Sequence, residues 1–200
     1  MTHTGSPDVN ALIGSRICHD LISPLGAIGN GLELLEMMSN SSGPEFDLIR
    51  DSIQNAHTRI RVFRLAFGAA SAEAVVKGSE VSEAATAMFT GARLTMRCDL
   101  PKAIRRVEAK LALLLVMCVE TALPRGGEIS LTCTDTGWTI HASGERIDTD
   151  PAVWGQMAEA APAPGLSAAE VQFALVPGAL RAAGRRLQTD LTDGAIRLTF

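Results

Sequence analysis

Two long stretches with helical spacing, joined by one short polar turn, restrict this chain more than anything else in it. Over residues 10–39, Ile13, Ile17, Leu21, Pro24, Ile28, Leu32 and Leu35 fall on one stripe when each residue advances about 100°. Cys18 and Leu25 widen that stripe. In the second stretch Ile49, Ile53, Ala56, Ile60, Phe63 and Phe67 recur at alternating spacings of four and three, a heptad seam. Between the two, Ser39-Asn40-Ser41-Ser42-Gly43-Pro44 reads as a turn, and Ser42 with Glu45 makes a capping-box pattern. So short a connection makes the helices an antiparallel hairpin. One hairpin cannot cover so wide an apolar surface. Two chains are therefore expected to pair as a four-helix bundle, a homodimer.

His19 points away from the stripe, toward Ser15, Ser23, Gly26, Asn30 and Glu33. It lies on a face of small and polar residues that another protein can reach. A neutral imidazole attacks phosphorus at ordinary pH, so His19 is read as the carrier of a phosphoryl group. Asp20 follows it directly and can orient the ring or accept its proton. Pro24 cannot donate to the carbonyl four residues back, and a bend is expected just after His19. Arg16, one turn before His19, can offset phosphate charge, as can Arg59, Arg61 and Arg64 on the second helix. For any single one of those arginines a solvated helix face is the plainer reading. Gly26, Gly29 and Gly31 either allow close helix packing or leave a flat surface for a partner. His57 reads as structural; His3 and His141 receive no role.

The rest of the chain alternates short elements. Ser79 is expected to cap a helix over roughly 80–91, Leu94–Leu100 reads as a strand, and residues 104–122 as a buried helix. Glu128–Thr134 and Trp138–Ser143 make a hairpin around Asp135-Thr136-Gly137. Pro151–Ala160 and 166–183 read as helical, the second broken or kinked by Pro177. Arg186–Leu191 and Ala195–Phe200 close a second hairpin through Thr192-Asp193-Gly194. The expected organisation is a disordered tail over 1–9, the helical hairpin over 10–76, and an α+β layer over 77–200, helices on one face of a mostly antiparallel sheet. Trp138 and Trp154 read as packing residues.

Composition narrows the function. A formal net charge of −4 argues against binding along a nucleic-acid backbone. The longest apolar run, Leu111–Val119, is about half of what a bilayer helix needs, so no membrane is expected. Cys18, Cys98, Cys118 and Cys133 form no C-x-x-C pair, which signals neither a metal site nor a disulfide framework. A cytoplasmic protein with free thiols follows.

The stretch His19-Asp20-Leu21-Ile22-Ser23-Pro24 resembles the phospho-acceptor box of dimeric sensor histidine kinases. The element order after it is similar to their ATP-binding domain. Where ATP would bind, the resemblance fails. The asparagine pair that holds magnesium and phosphates is missing: the long helix carries Leu114, Met117, Cys118 and Glu120, and no asparagine follows Asn55. The adenine-holding Asp-x-Gly-x-Gly turn falls on Ala142-Ser143-Gly144-Glu145-Arg146, and the phosphate loop near Pro164-Gly165-Leu166-Ser167-Ala168. An intact acceptor histidine beside a lost nucleotide site resembles the ChpT-type histidine phosphotransferases of alphaproteobacterial phosphorelays. Ala66-Phe67-Gly68-Ala69 and Leu123-Pro124-Arg125-Gly126-Gly127 also resemble that family.

The resemblance implies an α+β chain: an N-terminal hairpin forming a dimeric four-helix bundle, then a degenerate kinase ATPase-like α/β sandwich. It implies a homodimer that binds no ATP. The phosphoryl group passes from a receiver aspartate of a hybrid histidine kinase, through His19, to a receiver aspartate of a response regulator. His19, Asp20 and Pro24 form the catalytic set, with Arg16 and Ser23 at the receiver-docking surface. No cofactor or metal of its own is implied, since the receiver brings magnesium. The competing readings are an ATP-dependent sensor kinase core, and a non-enzymatic dimeric scaffold that binds receivers. Net removal of phosphate from a receiver uses the same surface.

Overall fold

The structure is a computed structural model that describes residues 9–38, 44–89, 93–158, 166–192 and 194–200. The N-terminal tail to residue 8, the Ser39–Gly43 turn with its Ser42 cap, and Pro164-Gly165 lie outside the described residues. The hairpin is present. Helix α1 spans Val9–Met38 and α2 spans Pro44–Ala66, packed against each other. α1 is one helix across Pro24, whose ring is buried. Leu21, Ile28 and Leu35 of the expected stripe are half-buried, whereas Leu32 is exposed. A side chain at Gly26 or Gly29 would meet nothing, so within this chain neither glycine serves close packing. Only Gly31 is buried.

Beyond the hairpin lies a five-stranded sheet: β2 (Leu94–Asp99), β4 (Gly127–Thr134), β5 (Gly137–Ser143), β6 (Gln188–Thr192) and β7 (Ala195–Thr199). Their order is β2-β4-β5-β7-β6. β2 and β4 run parallel and every other pair antiparallel. Period-two alternation puts Met96, Ile129, Leu131, Trp138, Ile140, Ala142, Ile196 and Leu198 on one buried face. Against that face pack α4 (Arg106–Thr121) and α6 (Val171–Ala183). Every residue of α4 from Leu111 to Val119 is fully buried or nearly so. The turn before β4 needs its glycines: Gly126 has φ 85°, and a Cβ there would strike the Arg93 carbonyl.

Four local expectations are corrected. α3 covers Gly78–Ala87, with Lys77 rather than Ser79 at its N-cap and no side-chain cap bond. A small two-stranded ladder, β1 (Val75–Lys77) with β3 (Ala103–Arg105), was not expected. The helix at Pro151 is α5, Pro151–Trp154, capped by the Asp150 carboxylate and followed by a 3-10 turn over Gly155–Met157. Pro177 neither ends nor splits α6, which runs to Ala183 and stops at Gly184 in the left-handed conformation. A buried proline costs one helical hydrogen bond, and the packing around it compensates. Trp138 stacks on Phe200 at 5.7 Å and Trp154 packs on Phe173 at 5.9 Å, both in the core.

Hairpin and sheet are joined by cations on helix ends. Arg106 donates to the Arg64 carbonyl at 2.7 Å, and Lys110 to the carbonyls of Phe67 and Gly68 at 3.3 and 3.0 Å. These carbonyls end α2, where the helix dipole favours positive charge. Arg64 and Arg61 pair with Glu80 and Glu83 of α3 at 2.8 and 3.7 Å, so both arginines bind across the joint.

Candidate phosphoryl-transfer site

The site rests on the middle of α1. The His19 side chain is 85% exposed, while Asp20, one residue on, is 11% exposed. A step of about 100° around the helix accounts for the difference, turning Asp20 toward α2 and the sheet-bearing half. The two side chains still meet: His19 Nδ1 and Asp20 Oδ1 are 3.1 Å apart. With a proton on Nδ1 donated to Asp20, the Nε2 lone pair faces solvent. That is the tautomer a nucleophile needs.

Asp20 is held from two helices. Arg16 Nε donates to its Oδ2 at 2.8 Å, and Arg59 Nη1 of α2 lies 3.6 Å from the same oxygen. Burial pushes the Asp20 carboxyl up. Hydrogen bonds from Arg16 and His19 and the charges of Arg16 and Arg59 outweigh that and hold it below the usual carboxylate range. Asp20 is thus an ionised acceptor at neutral pH. Arg16 also donates through Nη1 to the Ala169 carbonyl at 2.7 Å, tying the site to the turn before α6. That turn is fixed by Ser167 and Glu170, which cap each other.

Ser23, one turn beyond His19, is exposed on the same face, and Gly26 continues that face. Pro24 is buried on the opposite side and touches no part of the imidazole's hydrogen-bonding. Of the four arginines on α2, Arg59 alone reaches Asp20. Sequence reasoning placed Arg59 only within a basic run.

Two hollows meet here. One of about 110 Å³ is lined by Arg16, Asp20, Asn55, Thr58, Arg59 and Glu120 among others. A wider groove of about 630 Å³ runs from His19 past Glu120, Thr121 and Pro124 to Ser167–Ala169. Glu120 borders both. Its carboxyl is pushed up by burial and by the Asp20 charge, against the pull of Arg16 and Arg59. Sequence reasoning met Glu120 only as a replacement for a nucleotide ligand. The available signal was one carboxylate just after an otherwise apolar helical run.

The positions where a kinase would hold a nucleotide are filled differently. Leu114, Met117 and Cys118 are buried in α4, and Ala142 is buried in β5 between Ile129 and Ile196. The adjacent hollow of about 220 Å³ is lined by Asp148, Asp150 and Glu170, with Thr121, Pro124, Val153 and Trp154. Among the described residues no group of three or more His, Cys, Asp or Glu is placed to hold a metal ion. No helix of the described residues is long and apolar enough to cross a membrane.

Comparison with known proteins agrees with this geometry. Residues 78–195 match the family model of the histidine phosphotransferase C-terminal domain. The protein phosphotransferase ChpT of Brucella abortus (strain 2308) is 35% identical over 178 residues, covering 82% of this chain and 81% of that one. A solved bacterial phosphotransferase, determined at 1.7 Å, superimposes with a TM-score of 0.78 at 30% identity, covering 96% of this chain and 95% of the other. The exposed histidine, its ionised partner and the family match converge on one assignment: this chain belongs to the histidine phosphotransferase family.

Proposed function

We propose that this protein relays a phosphoryl group between receiver-domain aspartates through phospho-His19, without using ATP. One observation carries the reading. His19 projects from the helix with Nδ1 on an ionised aspartate and Nε2 free. In the step, the Nε2 lone pair attacks phosphorus of the receiver's aspartyl phosphate. The N–P bond forms as the acyl-phosphate P–O bond breaks, and the receiver carboxylate leaves with the electron pair. Asp20 balances the positive charge that develops on the ring while its Nδ1 proton stays in place. Onward transfer is the reverse step onto a second receiver. The transition state is loose, so positioning and charge supply most of the catalysis. The magnesium that this transfer uses belongs to the receiver.

Several features support the rest. Ser23 and Gly26 leave a low surface beside His19 on which a receiver can seat, and Arg16 borders it one turn back. Nine of the eleven exposed large hydrophobic side chains among the described residues lie on the hairpin, as a homodimeric bundle requires. Three carboxylates line the hollow beside the lost nucleotide positions, where they would repel a triphosphate. The working place of such a relay is the cytoplasm.

The test pairs two donors. Purified protein is incubated with a receiver domain carrying labelled aspartyl phosphate, and separately with labelled ATP. Acid-labile label from the receiver, lost in His19→Ala and never acquired from ATP, supports the relay. Label from ATP makes the protein a kinase. Label from neither leaves a receiver-binding scaffold.

A further inference from the structure

We propose that Glu120, reaching from the end of α4 into the joint with the hairpin, is a positioning residue for phosphoryl transfer: it shares Arg16 and Arg59 with Asp20 and so keeps Asp20 a strong acceptor for the His19 Nδ1 proton. This deepens the relay reading and rests on it.

The hollow of about 110 Å³ between α1, α2 and α4 is bordered by two guanidiniums, Arg16 and Arg59, and two carboxylates, Asp20 and Glu120. Asp20 comes from α1 and Arg59 from α2, whereas Glu120 is the only charged group that α4 brings to this hollow. The end of α3 contributes Ala87 and Met88, which carry no charge. On the groove side the turn before α6 contributes Ser167, Ala168 and Ala169, and its Glu170 is held by Ser167.

Asp20 holds its two arginines unequally. Arg16 sits on Asp20 at 2.8 Å, but Arg59 stands off at 3.6 Å, beyond a good charge-assisted hydrogen bond. Arg59 holds Asp20 only loosely and borders the same hollow as Glu120. Both arginines act on Glu120 as well, each lowering the proton affinity that burial raises. With Glu120 ionised, two positive charges serve two negative ones. Without that charge both guanidiniums would fall on Asp20. A carboxylate so saturated is a poorer acceptor for Nδ1–H. The other tautomer, with its proton on Nε2, would gain population, and that tautomer has no lone pair on the solvent-facing nitrogen with which to attack phosphorus.

The position also costs stability. An acid whose folded pKa lies above its unfolded value is disfavoured in its charged form once pH exceeds that unfolded value, here about 4.5. Removing the charge should leave the fold as stable or more so. Function and stability then move in opposite directions, a signature that a structural role does not give.

The test is Glu120→Gln, which keeps shape and removes charge, with Glu120→Asp as the charge-retaining companion. For Glu120→Gln we expect the rate of phosphoryl uptake at saturating phospho-receiver to fall roughly fivefold. The half-saturating receiver concentration stays the same, and the melting temperature is equal to or above wild type. Glu120→Asp recovers most of the rate. Independently of any receiver, nitrogen NMR of the His19 ring should show the Nδ1–H tautomer dominant in wild type and reduced in Glu120→Gln. If wild type takes no label from the receiver, the relay reading fails while the NMR comparison still judges Glu120. An unchanged tautomer and rate overturns the proposal. So does a loss confined to half-saturation, a clear fall in melting temperature, or an aspartate variant as slow as the glutamine.

Discussion

α1 and α4 are both long helices rich in leucine, isoleucine and valine, yet they treat those residues in opposite ways. In α4, Leu111, Leu113, Leu114 and Leu115 are each 0% exposed. In α1, Ile22, Leu25, Leu32 and Met37 are 51–81% exposed. The side chains differ little, so the difference lies in what each helix has to pack against. α4 has a sheet face, α6 and the end of α2 in its own chain. α1 has α2, and beyond it only α6 and the turn before α6, where Arg16 bonds the Ala169 carbonyl. A helix with surplus apolar surface and an exposed histidine presents both to other molecules. In the proposed relay, one surface would meet a second copy of the chain and the other a receiver.

The contrast can be broken most forcefully in α4. Leu114→Ala should remove about 3–5 kcal/mol of unfolding free energy, because the sheet and helices around it cannot collapse into the space. Urea denaturation measures it. The equivalent Leu32→Ala in α1, at 51% exposure, should cost far less within a single chain. A loss at Leu32 as large as at Leu114 would mean that the dimer contact contributes fully to folding.

Next in size is an effect on assembly. Ile53 and Ile60 of the heptad seam stand 42% and 51% exposed, although Ala56 and Phe63 on the same seam are buried. Replacing both isoleucines by aspartate should convert a dimer to a monomer in sedimentation equilibrium. The circular dichroism of the sheet-bearing half should not change. A wild type that sediments as a monomer would remove the bundle from the proposal, and the exposed seam would need another occupant.

These elements also show what was legible in the sequence. Period and spacing revealed the hairpin, the buried helix and both β-hairpins, because each repeats a pattern over many residues. β1 and β3 have three residues each, too few for any alternation. Pro177 looked like a break because local chemistry alone opposes proline in a helix, and burial overrode it. In the candidate site, His19 and Asp20 could be read together because they are neighbours in one box, whereas Pro24 of the same box lies buried away from the imidazole. Arg59 and Glu120 could not be read in this way. They come from two other helices and meet Asp20 only once α2 and α4 are packed against α1. Convergence of that kind leaves no local spacing to read.

The smallest predicted effect separates Asp20 from its surroundings by pH. Its folded pKa is depressed below the ordinary value of 3.8 by Arg16, His19 and Arg59, despite burial acting the other way. A depressed acid contributes stability that is complete above its unfolded pKa and is lost as pH falls through the folded value. Wild type should therefore lose stability against Asp20→Asn as the pH drops below about 4, by on the order of 1 kcal/mol, the scale of one charge-assisted hydrogen bond. Thermal melts of the two proteins between pH 3 and pH 7 measure the difference. Above pH 5 the gap should be constant. A gap that instead widens between pH 5 and 7 would place the titration on a different group and detach Asp20 from the arginines that distinguish this part of α1 from the buried surface of α4.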